Sequence, residues 1–307
     1  MPYSPSQKNI KAEFVTFFEK KHIPIYCLNL NSSIPMPSIQ RNGYKLNYID
    51  YGQGQPVILI HGWPLSLASW EYQIPAIVDA GFRCIAYDRK GFGKSTATWS
   101  NYDYNALTDD LHAVITELNL KNVILIGFSM GGGEVIRYCT KYGGNNVAKI
   151  ALISSIIPLV KQKEDNPHGV PQEKLDEIIT ALKEDRVSFL KGFHIDFYNV
   201  GFLNKTVTQL QLDFDFSIAA HASSQATIKA AQAWMDTDFR TECEAIQIPT
   251  LIIHGKADKT VPIKTAGEQA ARLMPNNIYK VYEDGPHGLN ITHKAQLNED
   301  LVAFLKG

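Results

Sequence analysis

A serine flanked by glycines, Gly127-Phe128-Ser129-Met130-Gly131, directly follows the apolar run Val123-Ile124-Leu125-Ile126 and directly precedes a helical pattern that begins with Gly132-Gly133. Small residues at a strand-to-helix turn allow a strained bend that pushes the hydroxyl out past the sheet edge, at a helix N-terminus, where a nucleophile for acyl transfer stands. A serine hydroxyl is a poor nucleophile near neutral pH, so it requires a base and an orienting carboxylate, in the chain order Ser, acid, His. Asp258 ends the segment Leu251-Ile252-Ile253-His254-Gly255-Lys256-Ala257, and His287 stands in Asp284-Gly285-Pro286-His287-Gly288. Both fall in loops at the carboxyl ends of expected strands, where an open α/β sheet places its site. The expectation is a Ser129 nucleophile, a His287 base and an orienting Asp258.

Acyl transfer also needs donors for the oxyanion. The amide of Met130, next to the serine, is one candidate, and the loop His61-Gly62-Trp63-Pro64 supplies the other. Trp63 has an N–H and Pro64 has none, which selects Trp63. Residues beside these motifs, namely Pro64, Phe128, Ile157, Val261 and Leu289, together with Trp63 and Met130, are expected to line the acyl pocket. Among rival residues, His254 lies at a strand end and His293 at a helix start, and Asp284, three residues before His287, reads as a turn residue. Gly93-Lys94-Ser95 imitates the end of a phosphate loop, but the first glycine that loop requires would fall on Asp88. Gly52-Gln53-Gly54 precedes a strand instead of following one, so it is a turn and not a dinucleotide fingerprint. No motif calls for a metal.

The remaining sequence must position these groups. With 30 Lys and Arg against 31 Asp and Glu, the chain has a net charge of −1 and offers no basic field, so neither nucleic acid nor a membrane surface is expected as a partner. No apolar stretch reaches the length of about 18 residues that a membrane helix needs, and the first residues lack a secretory apolar region, so a soluble, cytoplasmic protein is expected. Cys27, Cys84, Cys139 and Cys243 are at least 55 residues apart, with no CxxC spacing, and read as reduced core residues.

From about Ser38 onward, short β-branched runs alternate with longer amphipathic stretches, the pattern of parallel strands joined by crossover helices. Strands are expected at Tyr44 to Tyr51, Val57 to Ile60, Arg83 to Tyr87, Asn122 to Gly127, Val147 to Ser154, Thr250 to His254 and Ile278 to Tyr282. Helices are expected near 67–79, 104–118, 130–142, 264–273 and 293–305. The interval between Ser154 and Thr250 carries helical patterning and no convincing strand, and is too long for an ordinary connection. It reads as a helical cap over roughly 158–245. Residues 1–38 form an N-terminal extension, in which Phe14, Val15, Phe17 and Phe18 suggest a short docked helix or an arm.

Together, His61-Gly62-Trp63-Pro64, Asp88 to Ser95, Gly127 to Val135, Asp258 to Pro262, Gly285 to Leu289 and Leu297 to Leu301 resemble the α/β-hydrolase fold family. More narrowly, they are similar to its cofactor-free haloperoxidases, the non-heme chloroperoxidase, arylesterase and perhydrolase group, from about residue 39 to the end. That resemblance implies an α/β fold with a mostly parallel eight-stranded sheet flanked by helices, and a Ser129–His287–Asp258 triad with oxyanion amides at Trp63 and Met130. It implies an acyl-enzyme formed from a short-chain or aryl ester. In that group a proline after the tryptophan accompanies peracid formation, in which hydrogen peroxide replaces water, and halide oxidation follows from released peracid. No haem, vanadium, flavin or other cofactor is implied. The expected partners are a small ester or carboxylic acid and hydrogen peroxide, with a homo-oligomer left open. A C–C hydrolase, lactonase or amidase with the same triad, and a ligand-sensing α/β-hydrolase, remain as alternatives. A dehalogenase or epoxide hydrolase would need a carboxylate where Ser129 stands.

Overall fold

The structure is a computed structural model that describes residues 37–201 and 205–307. Cys27 and the extension expected over residues 1–38, apart from Pro37 and Ser38, lie outside the described residues. Eight strands form one sheet: β1 (Ser38–Arg41), β2 (Tyr44–Tyr51), β3 (Pro56–Ile60), β4 (Arg83–Tyr87), β5 (Val123–Phe128), β6 (Val147–Ile153), β7 (Thr250–Gly255) and β8 (Asn277–Tyr282). Their order is β1-β2-β4-β3-β5-β6-β7-β8. β1 and β2 pair antiparallel, as do β2 and β4, and every later neighbour pairs parallel, with Ile58 opposite Leu125 and Leu125 opposite Ile150.

Central strands read as uninterrupted apolar runs because both faces are covered. Ile58 and Ile60 of β3 and Leu125 of β5 enter one core, and Val57, Leu59, Ile124 and Ile126 enter the other. The first face is covered by α2 (Tyr104–Glu117) and α3 (Met130–Lys141) through Leu107, Leu111 and Val135. On the opposite face lie α1 (Gln73–Asp79) and the C-terminal α10 (Lys294–Lys306), through Ile77, Leu297, Leu301 and Leu305. Cys84, Cys139 and Cys243 are buried and unbridged.

The helix expected over 67–79 is split into a 3-10 turn at Leu67–Trp70 and α1. Starting α1 at Gln73 puts Pro75 in its first turn, where a missing N–H costs no intrahelical hydrogen bond. Between β6 and β7 the described elements are all helices: α4 (Gln172–Phe197), α5 (Gln209–His221), α6 (Ser224–Asp236) and α7 (Arg240–Ala245). α4 breaks at Asp185, whose φ of −147° and ψ of 79° are not helical. Its side chain accepts the amide of Ser188 at 3.0 Å and so caps the second half. Two further short elements, α8 (Gly267–Leu273) and α9 (Leu289–Thr292), follow β7 and β8.

Gly127 marks a close approach of β5 to α3, and Gly131 a close approach of α3 to β3. A β-carbon on Gly127 would lie 2.6 Å from the carbonyl carbon of Gly131, and one on Gly131 would run into the Ile60 carbonyl oxygen. Gly192, inside α4, has open space around the same position. Gly131→Ala should therefore destabilise the fold by about 1–3 kcal/mol through overpacking. Gly192→Ala should stabilise it by roughly 0.5–1 kcal/mol, the usual helix-interior difference. Urea unfolding midpoints of the two variants check the opposite signs.

Candidate active site

Ser129 is the single residue between the last position of β5 and the first of α3, with φ of 52° and ψ of −119°. A residue with a β-carbon adopts this left-handed conformation only under strain, and strong anchoring holds it there. The Ser129 amide donates to the Ile153 carbonyl at 2.9 Å, and its own carbonyl accepts from Gly132 N at 3.0 Å and from Ser155 Oγ at 3.3 Å. The side chain caps nothing, leaving Oγ free for another partner.

That partner is His287, whose Nε2 lies 3.0 Å from Ser129 Oγ and whose Nδ1 lies 2.7 Å from Asp258 Oδ2. An ionised carboxylate only accepts, so Nδ1 carries the hydrogen and Nε2 is left to accept the serine proton. The imidazole is fully buried, with its ring against Phe128 at 5.2 Å and against Phe197 of α4 at 4.9 Å between centroids. Asp258 is buried too. Its Oδ1 accepts the amides of Thr260 at 2.9 Å and Val261 at 2.7 Å. Burial pushes this carboxyl up, but the neighbouring His287 and His254 outweigh it and hold the value at about 2.

The loop carrying Trp63 lies directly on the serine, since a β-carbon on Gly62 would sit 2.7 Å from the Phe128 ring and 3.1 Å from Ser129 Cβ. Neither the Trp63 amide nor the Met130 amide donates to a protein acceptor among the described residues. The loop is held from behind by a buried ion pair. Arg89 donates through Nη2 to the His61 carbonyl at 2.8 Å and through Nε to Glu134 Oε1 at 2.7 Å, and Tyr87 Oη donates to Glu134 Oε2 at 2.8 Å. Glu134 belongs to α3, so this pair fastens the His61–Pro64 loop to the helix that follows Ser129. His61 accepts the Arg89 amide at Nε2 over 3.0 Å; burial and the Arg89 charge lower its pKa well below the usual imidazole value, so it stays neutral.

A cavity of about 730 Å3 opens over Ser129, lined among others by Trp63, Ile156, Phe193, Trp234 and Val261. Of the residues expected to line it, Trp63 and Val261 do so, whereas Pro64, Met130, Phe128, Ile157 and Leu289 do not. Phe128 is the last residue of β5 and points into the core beneath, against Trp70 and Phe197, because adjacent strand residues face opposite ways. Leu289 joins the same core and Ile157 the opposite one. Pro64 and Met130 are buried beside the serine outside the lining. Phe189, Phe193 and Trp234 take the lining places instead, and only a helical pattern marked their segments in sequence.

The rival residues are accounted for. Asp284 is exposed and pairs with His293 at 3.2 Å instead of His287. His254 contacts Asp258 and not the serine. Around Gly93-Lys94-Ser95, the Lys94 amide is engaged by the buried Asp88 carboxylate at 2.8 Å.

Comparison with known proteins follows the same lines as the geometry. Residues 55–294 match the family model described as alpha/beta hydrolase fold, and the chain belongs to that family. Within it, the chain is 38% identical over 267 residues to the non-heme chloroperoxidase CPO-A1 of Kitasatospora aureofaciens, covering 86% of this chain and 97% of that one. It is 34% identical over 269 residues to the bifunctional esterase/perhydrolase DCH of Acinetobacter calcoaceticus, covering 87% and 98% of the two chains. Among solved structures, a bromoperoxidase from Bacillus anthracis superposes with a TM-score of 0.84 at 43% identity, over 86% of this chain and 96% of that one. Among the described residues, no helix is long and apolar enough to cross a membrane.

Two outcomes test the site's energetics. The Asp258 value of about 2 lies below the usual 3.8, so the carboxylate contributes stability that is complete above the unfolded value and lost as pH falls toward 2. Asp258→Asn should flatten the acid dependence of stability in that window, measured by denaturant unfolding at a series of pH values. Glu134→Gln leaves Arg89 buried without a counter-ion and should cost about 3–5 kcal/mol. The paired change Arg89→Met with Glu134→Leu should cost less than Glu134→Gln alone, by the same measurement.

Proposed function

We propose that this protein is a serine esterase for short-chain or aryl carboxylic esters, working through an acyl-enzyme, with the capacity to form peracids from hydrogen peroxide. The hydrogen-bonded line from Ser129 through His287 to Asp258, with two unengaged amides beside it, carries this reading. The sequence similarity to a chloroperoxidase and to an esterase/perhydrolase supports it.

In this reading Ser129 Oγ attacks the ester carbonyl carbon while His287 Nε2 takes the hydroxyl proton. Asp258 keeps the imidazole in the tautomer with Nδ1 protonated and stabilises the imidazolium. The Trp63 and Met130 amides receive the negative charge on the carbonyl oxygen, and loss of one such donor typically costs about 10²–10³ in rate. Collapse of the tetrahedral species breaks the bond to the leaving alkoxide, which takes the proton from His287 and departs as the alcohol. Water then attacks the acyl-enzyme with His287 again as base, releasing the carboxylic acid. Hydrogen peroxide attacking in the same way releases the peracid and restores the Ser129 hydroxyl.

Pro64 is assigned to the choice between the two. Proline fixes its own φ and restricts the residue before it, which can turn the Trp63 carbonyl toward the site as an acceptor for the peroxide proton. Residues 158–245 are assigned as a cap that shields the acyl-enzyme, with Phe189, Phe193 and Trp234 among the residues it contributes to the cavity wall.

Hydrolysis of p-nitrophenyl acetate, with and without hydrogen peroxide, tests the reading on the parent, Ser129→Ala and Pro64→Leu. Ser129→Ala should lose acyl transfer, and hydrolysis at the parent rate would remove the serine from its role. Pro64→Leu should lower the ratio of peracid to acid formed; an unchanged ratio removes Pro64 from the choice of nucleophile.

A further inference from the structure

One side chain in contact with Asp258 has no part in the mechanism above. His254, on β7, is buried at 1% exposure. Its Nε2 lies 2.9 Å from the Val261 carbonyl oxygen and 3.3 Å from Asp258 Oδ2. A carbonyl and an ionised carboxylate only accept hydrogen bonds, so Nε2 carries a hydrogen, donates it to the Val261 carbonyl and turns the positive end of that N–H dipole toward Oδ2, whatever the state of Nδ1. The carboxylate oxygen it reaches is the one that accepts from His287 Nδ1. With the Thr260 and Val261 amides on Oδ1 and His287 Nδ1 on Oδ2, Asp258 takes part in three hydrogen bonds, and the His254 Nε2 stands against Oδ2 as a further polar contact. The ring is also wedged in place. α8 opens at Gly267, where a β-carbon would lie 2.8–2.9 Å from Cβ, Cγ and Nδ1 of His254.

We infer that His254 is a positioning residue for the carboxylate of the triad: its Nε2–H holds Asp258 Oδ2 in line with His287 and disperses charge that would otherwise act on His287 alone. This rests on the triad roles proposed above. The Asp258 charge stabilises the imidazolium formed when His287 takes the serine proton. A second N–H dipole against the same oxygen weakens that stabilisation, so in this inference His287 gives up its proton more readily and stays competent as a base further into acid. The contacts leave few other groups to produce this effect. Ser129, Asp258, Phe128 and Phe197 face His287. Asp258, Val261 and Gly267 face His254. Of the nearby charged residues, Lys256 is exposed and paired with Glu283, and Glu268 of α8 lies in a surface groove with Tyr279, while Lys174, Glu177, Asp196 and Lys259 line the cavity over Ser129 and are the same in the parent and both His254 variants.

The test is the pH dependence of kcat/KM for p-nitrophenyl acetate in the parent, His254→Phe and His254→Gln, with Ser129→Ala as control and thermal unfolding as the measure of folding. His254→Phe keeps a ring and removes the donor. Its acid limb should move up by about 0.5–1 pH unit, a loss of about three- to tenfold on that limb, with the change in kcat and not in KM. His254→Gln, which keeps an N–H donor, should bring the limb back toward the parent. A uniform loss at every pH in His254→Phe, or a Gln variant no different from Phe, makes His254 a packing residue and overturns the inference.

Should His254→Phe fail to fold, the parent decides: long-range ¹H–¹⁵N correlation of the histidine rings should show the hydrogen on Nε2 of His254, and a bare Nε2 overturns the inference. A parent without esterase activity, or an active Ser129→Ala, overturns the esterase reading instead, and the ring spectrum remains readable in either case.

Discussion

At Ser129 the chain passes from a strand buried on both faces into a helix with a single left-handed residue between them. That residue carries a β-carbon and is therefore strained, at a cost of about 1–3 kcal/mol. Its neighbours offset the strain through hydrogen bonds from Gly132 and Ser155 to its carbonyl and from its own amide to β6. Geometry at the flanks follows from the same bend. Gly127 and Gly131 face each other too closely for side chains, and Gly131 lies against the backbone of β3. The nearness of β3 is what sets the His61–Pro64 loop against the serine, with Gly62 close to Ser129 Cβ.

Charge is handled in one manner throughout this region. Arg89 and Glu134 are both fully buried, and each is bonded to a group on another element: Arg89 to the His61 carbonyl, Glu134 to Tyr87. Asp258 likewise has donors from its own loop and from the loop after β8, with His254 of β7 in contact at 3.3 Å. An isolated buried charge would be neutralised or expelled, whereas one with several fixed donors stays ionised and keeps its orientation. The ordered polar groups thus join segments of the chain far apart in sequence, and the functional geometry is as stable as the core that encloses it.

What could be read from residues alone divides along physical lines. β3 and β5 are legible because a strand covered on both faces has to be continuously apolar, and Ser129 is legible because the turn restricts its flanks to small residues. Asp258 and His287 follow from the order of loops at strand ends. β1 is not legible: four residues, Ser-Ile-Gln-Arg, show no alternation, and they are ordered by pairing with β2. Proximity to a motif also misleads for the cavity, since Phe128 is adjacent to Ser129 in sequence but faces away from it. Phe193 and Trp234 reach the cavity through tertiary packing of helices whose patterning carries no information about what they cover. His254 shows the same limit for polar groups, because nothing in its sequence position indicates which carboxylate oxygen it meets.

Trp63 belongs to two parts of the molecule at once. It lines the same cavity as Ser129, while its indole Nε1 donates to the Thr227 carbonyl of α6 at 2.8 Å and its ring packs on Phe193 and Trp234. The helices between β6 and β7 are therefore not an exchangeable module. A transplanted set of helices that fails to return a carbonyl to the place of Thr227 would leave a buried indole N–H unsatisfied and loosen a residue that lines the cavity over Ser129. Diversification of substrate range in such a chain is consequently tied to the machinery of the reaction, and the two can change only in step.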